Sequence, residues 1–299
     1  MSNRARYLAF IIAALGVLLF STKAVIIKLA YRYDIDSISL LLLRMLFALP
    51  FYLAIWGYHY KEWRQDPLSK KQVITLIFLG LFGYYLASYF DFQGLTYITA
   101  SLERLILFTY PTFVLILSAL FLKKKITKTQ LISIGITYTG IVVIFFDRDG
   151  ITAGDPQEVL FGSLLIVISA ITYAAYLVGA NSLIEKVGSV RLTTFSLLIS
   201  CSAVITHYLI TTDLQLFHYP KEVYLLSFVM AIFSTVIPSF LINEAIKRIG
   251  APSVSIIGSL GPVSTILLSV AFLGEMLTFT QVIGALIIIS GIFVIGRAK

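Results

Sequence analysis

The chain has 299 residues, 59% of them apolar and 13% charged, with a mean hydropathy of +0.94. A soluble protein cannot hide that much apolar surface. The net charge of +8 and pI near 9.4 would suit nucleic acid if the bases clustered on one soluble face; here they are dispersed between apolar runs, as in cytoplasmic loops facing anionic lipid. Cys201 is the one cysteine and lies within an apolar run, which excludes an intrachain disulfide.

Ten apolar runs follow one another, and runs of about 20 residues span a bilayer core of about 30 Å. Before the first run stand Arg4 and Arg6. The first gap holds Arg32 with Asp34 and Asp36; the second holds Lys61, Arg64, Lys70 and Lys71; the third, near Gly94–Ile98, holds no base. Lys123, Lys124, Lys125 and Lys128 fill the fourth. The fifth is acidic, with Asp147, Asp149, Asp155 and Glu158 against Arg148. Lys186 and Arg191 mark the sixth, Lys221 beside Asp213 and Glu222 the seventh, Lys247 and Arg248 the eighth, and Glu275 the ninth; Arg297 and Lys299 follow the last run. Even gaps and the two ends thus carry 16 bases and odd gaps 3. Because short cytoplasmic loops collect Lys and Arg, this alternation predicts an all-α integral membrane protein with ten transmembrane helices and both termini cytoplasmic. The first run is too long for a signal peptide and leads directly into further spans. No gap is long enough for a soluble domain.

The chain also repeats itself. A shift of 151 residues lays Pro111 on Pro262, Ala100 on Ala251, Ser118 on Ser269 and Phe121-Leu122 on Phe272-Leu273. The same shift lays Thr127, Thr129 and Gln130 on Thr278, Thr280 and Gln281, and Gly140-Ile141 on Gly291-Ile292. Matches of Leu or Ile count for little in apolar helices, whereas the Pro and polar coincidences count for more. Five spans per half is an odd number, so the second half enters the membrane from the opposite side. The expected organisation is a first repeat over residues 1–146, an external linker over 147–159 and a second repeat over 160–299. Inverted repeats of this kind mark secondary transporters, with the substrate site near the midplane at the repeat interface.

Several motifs sharpen this reading. The first span reads Phe20-Ser-Thr-Lys-Ala-Val-Ile-Ile-Lys28 and the second carries Leu43-Arg44. Gly94-Leu-Thr-Tyr-Ile-Thr-Ala-Ser101 is followed by Tyr110-Pro111, Leu122 and a basic turn before Gln130. The second copy runs from Ala245 through Gly250-Ala251-Pro252, Gly261-Pro262 and Leu273-Gly274-Glu275 to Gly291. Together these resemble the EamA family of the drug/metabolite transporter superfamily over nearly the whole chain. The family's Leu-Gly-Glu turn stands intact at Leu273-Gly274-Glu275 but is replaced in the first copy by Leu122-Lys123-Lys124, so local capping there is expected to change and the substrate site is not. The resemblance implies a bacterial inner-membrane carrier without cofactor, monomeric or loosely associated (a dimer stays open), that moves amino acids, sugars, nucleotide derivatives or other small metabolites, often outward.

Charges inside spans carry the candidate site. A charge at a helix centre costs roughly 2.5–3.5 kcal/mol on insertion scales, so such residues face the bundle interior, pair, or mark a substrate path. Lys28, Asp91 and Glu244 lie within about a turn of a span end, where charge is cheap. Lys28 is expected to snorkel to the outer interface and Glu244 to sit with Lys247 and Arg248; Asp91 shares a helical face with Ser88, Ala87 and Tyr84. Lys23, Arg44, Glu103 and Arg104 lie deeper. They form either a structural ion-pair network or a substrate site, because the two look alike in sequence. The excess of bases over acids favours an anionic ligand: a carboxylate or phosphate, or an amino acid with its carboxylate on Lys23 or Arg104 and its amine on Glu103. Asp91 and Glu103 are the candidate proton carriers.

The ninth span carries a small or polar stripe at helical spacing, Ser255, Gly258, Ser259, Pro262, Thr265 and Ser269. It reads either as a surface for close helix packing or as the lining of a cavity at a helix break. Such a break is expected at Gly261-Pro262, with its mate at Tyr110-Pro111. Tyr173 and Tyr176 share a face with Ser169 and Ala180, and Tyr84, Tyr85 and Tyr89 lie on the third span; tyrosine makes an amphipathic pocket wall. The expected substrate-binding set is therefore Lys23, Arg44, Glu103, Arg104, Tyr110, Tyr173, Tyr176 and Ser259.

Enzyme chemistry has little support. His59 and His218 lie in gaps and His207 near the outer end of a span, with no His-Glu-x-x-His, cysteine cluster or Gly-x-Ser-x-Gly, and hence no metal centre. There is no repeated selectivity loop for a channel and no nucleotide-binding loop for ATP-driven pumping. A scaffold or receptor would not need an inverted duplication. The expectation is a secondary transporter working by alternating access, exporting amino acids or related carboxylate-bearing metabolites; a uniporter or exchanger of sugars, nucleotide derivatives or phosphorylated metabolites is the second reading. Lipid and a small substrate are the expected partners, and nucleic acid is not.

Overall fold

The computed structural model describes residues 3–123, 125–145, 155–212, 216–274 and 278–297. Among them the chain forms ten helical rods and no strand: α1 Asn3–Tyr31, α2 Ser37–Gln65, α3 Lys70–Tyr97, α4 Ala100–Leu122, α5 Lys128–Phe145, α6 Pro156–Val187, α7 Ser189–Thr211, α8 Lys221–Ile249, α9 Ala251–Leu273 and α10 Phe279–Arg297. Among the described residues, eight of these, α1 to α4 and α6 to α9, are long and apolar enough to cross a membrane, which makes this a multi-pass membrane protein. Large apolar side chains such as Leu120, Phe121, Ile210 and Leu286 point outward, as they do where the solvent is lipid.

Local signals set the rod ends. Asp36 accepts from the Ile38 and Ser39 N–H groups to start α2, Ser69 and Gln72 form a reciprocal capping box on α3, and the Thr99 hydroxyl receives the Leu102 N–H on α4. Asp155 accepts from Gln157 N–H at 3.1 Å with Pro156 at the first helical position. The helix that opens the second half therefore starts at Pro156, inside the stretch expected as a linker. Most of that linker, including Asp147, Arg148 and Asp149, lies outside the described residues, as do Lys124, Asp213, Glu275 and Lys299.

Four rods are interrupted, α3 and α8 by wide π turns at Leu79–Leu86 and Ile232–Val236, α4 and α9 by turns at Phe108–Thr109 and Gly258–Ser259. Moving residues 79–86 along by 151 gives 230–237, which contains the second π stretch. The breaks in α4 and α9 fall upstream of Pro111 and of Gly261-Pro262, where they were expected. The reason is geometric: proline lacks the N–H that would close on the carbonyl four residues earlier, and its ring crowds that carbonyl. Pro262 thus leaves the Gly258 carbonyl to accept from Gly261 N–H at 2.7 Å instead, and the tightened turn forms there.

Packing pairs the two halves. α1 lies against α8 and α9, and α6, 151 residues on, lies against α3 and α4. α2 packs on α7 and α5 on α10, where Ser133 Oγ donates to the Gly291 carbonyl at 2.6 Å. The small residues of α9 serve this packing: Thr265 Oγ1 donates to the Ser21 carbonyl of α1 at 3.3 Å, and Ser255, Thr265 and Ser269 are fully buried.

Candidate functional site

The buried charges of α1, α3 and α4 meet at one place. Lys23 Nζ stands 2.7 Å from Asp91 Oδ2, and Arg104 Nε stands 3.3 Å from Glu103 Oε2; none of the four is more than 4% exposed. All four act on one another electrostatically. Ion pairs at this depth hold together because separating them would strand charge in a low-dielectric medium. Asp91 is therefore a member of the deep set and no near-end charge, since α1 and α4 cover it. Lys28 does not reach out to the interface either. Its Nζ donates to the Leu95 and Ile98 carbonyls at 3.0 and 3.1 Å and so caps the C-terminal end of α3, where carbonyls lack helical partners. Glu244 bonds Ser189 Oγ at 2.6 Å and Arg248 Nε at 2.7 Å, close to its expected place.

Arg44 enters from α2. It is 2% exposed, its guanidinium carbon lies 4.7 Å from the Phe92 ring centroid, and its Nε and Nη2 have no hydrogen-bond partner. It lines a cavity together with Lys23, Phe20, Tyr84, Ser88 and Tyr173. Ser234, Thr235 and Ser239 of α8 complete the wall; the π turn of α8 displays Ser234 and Thr235 there. Thr22 and Ser234 hydroxyls bond at 2.6 Å across the α1–α8 contact.

A second cavity adjoins the first and is lined by Arg104, Tyr110, Phe108, Gly258 and Gly261 among others. Phe20, Leu107 and Tyr173 belong to both. The Phe20 and Tyr173 rings stack at 6.0 Å and 9°, making a partition between the two chambers. Tyr110 meets Tyr173 edge-on at 5.2 Å and donates to the Ser255 carbonyl at 3.2 Å. The Gly258 Cα faces the Tyr110 hydroxyl so closely that a Cβ would overlap it.

The structure thus brings Lys23, Arg44, Arg104, Tyr110 and Tyr173 to the two chambers and leaves others outside. Glu103 lines neither, so it offers no contact for a ligand amine; Ser259 is 2% exposed within the α9 break and also lines neither. Tyr176 lies behind the wall, where its hydroxyl donates to Asn243 Oδ1 at 2.8 Å and Asn243 Nδ2 donates to Thr193 Oγ1 at 2.8 Å. Sequence reading missed Phe20 as a wall residue, the α8 hydroxyls and Asn243. A ring three residues before Lys23 on the same helix, and an amide within an apolar run, were the available signals.

Long apolar rods around a charged and aromatic interior define a polytopic membrane protein. The chain belongs to the EamA-like transporter family, whose model matches residues 7–146 and 160–297. It is 31% identical over 274 residues to the uncharacterized transporter YcbK of Bacillus subtilis (strain 168), covering 90% of this chain and 86% of that one. A second uncharacterized transporter of the same organism, YyaM, is 28% identical over 224 residues, covering 75% and 73%. One solved crystal structure has the same fold, with a TM-score of 0.76 at 17% identity over 96% of this chain and 95% of that one.

Proposed function

We propose that this membrane transporter is a secondary carrier of the bacterial inner membrane, with ten spans in two inverted five-helix repeats and both termini cytoplasmic. It acts as a monomer and moves a small metabolite by alternating access, exporting amino acids or related carboxylate-bearing metabolites. The observation that carries this reading is the buried two-chamber cavity walled by both halves of the chain: α1, α2, α3 and α4 from one, α6, α8 and α9 from the other. The recurrence of helix interruptions and packings after 151 residues supports the repeat, and at this site the excess of buried Lys23, Arg44 and Arg104 over buried Asp91 and Glu103 supports a carboxylate.

Alternating access then has a physical route. Irregular backbone at membrane depth is tolerated where it lines a cavity, and the interrupted rods α3, α4, α8 and α9 are where small rotations cost least. Solute counterflow in proteoliposomes tests the function. Vesicles are loaded in turn with amino acids, other carboxylates, sugars and nucleotides, with wild type beside Arg104→Ala. Counterflow of a carboxylate-bearing solute that drops in the variant is expected. Counterflow of a neutral sugar that survives the substitution would make the charges structural and overturn the carboxylate reading.

A further inference from the structure

We infer that the ligand of the first chamber is a monoanion held through its carboxylate by Arg44, and that a zwitterionic amino acid is a poorer fit. This rests on the transport reading and narrows it. Three buried cations of this site, Lys23, Arg44 and Arg104, stand against two buried acids, Asp91 and Glu103. Lys23 takes Asp91 and Arg104 takes Glu103, which leaves Arg44 over. Asp91 also lies within electrostatic reach of Arg44, but one carboxylate does not neutralise two cations.

A guanidinium is always charged and presents a rigid fork of donors. Buried with Nε and Nη2 unpartnered, it is unfavourable until an acceptor enters, and the fork matches a carboxylate in bidentate fashion. The residues around the chamber point to the remainder of the ligand. Lys23 and Arg44 are its charged lining and no acid joins them among the described residues, so an ammonium group would enter a field of its own sign. A phosphate monoester would bring more charge than one cation offsets. The Phe20, Tyr84 and Tyr173 rings suit an aromatic or branched apolar body, and the Ser88 hydroxyl supplies a donor for an oxygen beside the carboxylate. Aromatic and branched 2-oxo acids meet all of these conditions.

The test is isothermal titration of the purified full chain with matched pairs, phenylpyruvate against phenylalanine and 4-methyl-2-oxopentanoate against leucine. Wild type, Arg44→Gln and Arg44→Lys are compared, with thermal unfolding to check folding. The 2-oxo acid is expected to bind at least about tenfold tighter than its amino acid in wild type. Arg44→Gln is expected to weaken it roughly 10- to 100-fold, as loss of a charge-assisted bond does, and Arg44→Lys less. The wild-type ratio needs no variant and decides the matter if Arg44→Gln does not fold. Equal or tighter amino-acid binding, binding of neither member, or unchanged binding in folded Arg44→Gln would each overturn the inference. Counterflow separates the two readings: amino-acid counterflow without 2-oxo acid binding would spare transport and sink the monoanion, whereas tight 2-oxo acid binding without counterflow of any solute would do the reverse.

Discussion

Asp91 and Lys23 are within 2.7 Å of each other with almost no exposure, so each neutralises a charge that the bilayer would not tolerate alone. Removing one partner strands the other. Asp91→Asn or Lys23→Met is expected to cost roughly 3–5 kcal/mol, and the double substitution to cost less than the sum of the singles. Unfolding in detergent across the four proteins measures this, and simple additivity would show that the pair is not coupled. Glu103 is a different case, since it touches Arg104 yet lines no chamber. As a proton carrier it would make transport respond to a pH gradient, and Glu103→Gln is expected to abolish that acceleration while leaving exchange intact; acceleration retained in the variant would exclude the role. Sequence made the depth of Lys23, Arg44 and Arg104 legible, because a charge in an apolar run has few explanations. It misplaced Asp91 and Lys28, because distance from a helix end along the chain says nothing about which neighbouring helix covers that end.

At the scale of elements, the two copies of one turn show what the backbone demands. Gly274 ends α9 at φ 76°, ψ 20°, and Lys123, its counterpart 151 residues earlier, ends α4 at φ 51°, ψ 27°. Lys123 therefore keeps the left-handed cap in the altered copy and bears its strain, roughly 1 kcal/mol for a residue with a Cβ. Lys123→Gly is expected to raise the unfolding temperature without altering ligand binding, and a lowered temperature would contradict this. The α9 break offers a second check. Gly258→Ala places a methyl on the Tyr110 hydroxyl and is expected to destabilise the helix pair, with partial rescue by Tyr110→Phe, which removes the clashing oxygen; failure of the rescue would place the strain elsewhere. Neither π stretch was read from the sequence. The first lies in a run whose composition suits an ordinary helix, whereas the second runs up to Pro238, whose missing N–H frees the Ser234 carbonyl four residues earlier, a signal that was available and passed over. The proline breaks were legible to within one turn, displaced because proline acts on the carbonyl before it.

For the whole molecule, hydropathy predicts the all-helical, multi-pass character of the chain, eight of whose described helices are long and apolar enough to cross a membrane, since helix length against bilayer thickness is a property of the chain itself. The proposed orientation rests on charge alone and is open to direct test. In a Cys201→Ser background, Ser69→Cys is expected to react from the cytoplasmic side and Thr96→Cys from outside; the opposite pattern would reverse the topology. The site was less legible, because a cavity is what ten rods leave between them. The central claim is that this cavity opens to each side in turn, and Ser88 lies on its wall. The most direct measurement is two-sided labelling of Ser88→Cys in the same background, in oriented vesicles with impermeant thiol reagents. Labelling from either side, protected from both by transported solute, is the predicted result. Labelling from one side only, indifferent to any solute that the protein carries, would contradict the account.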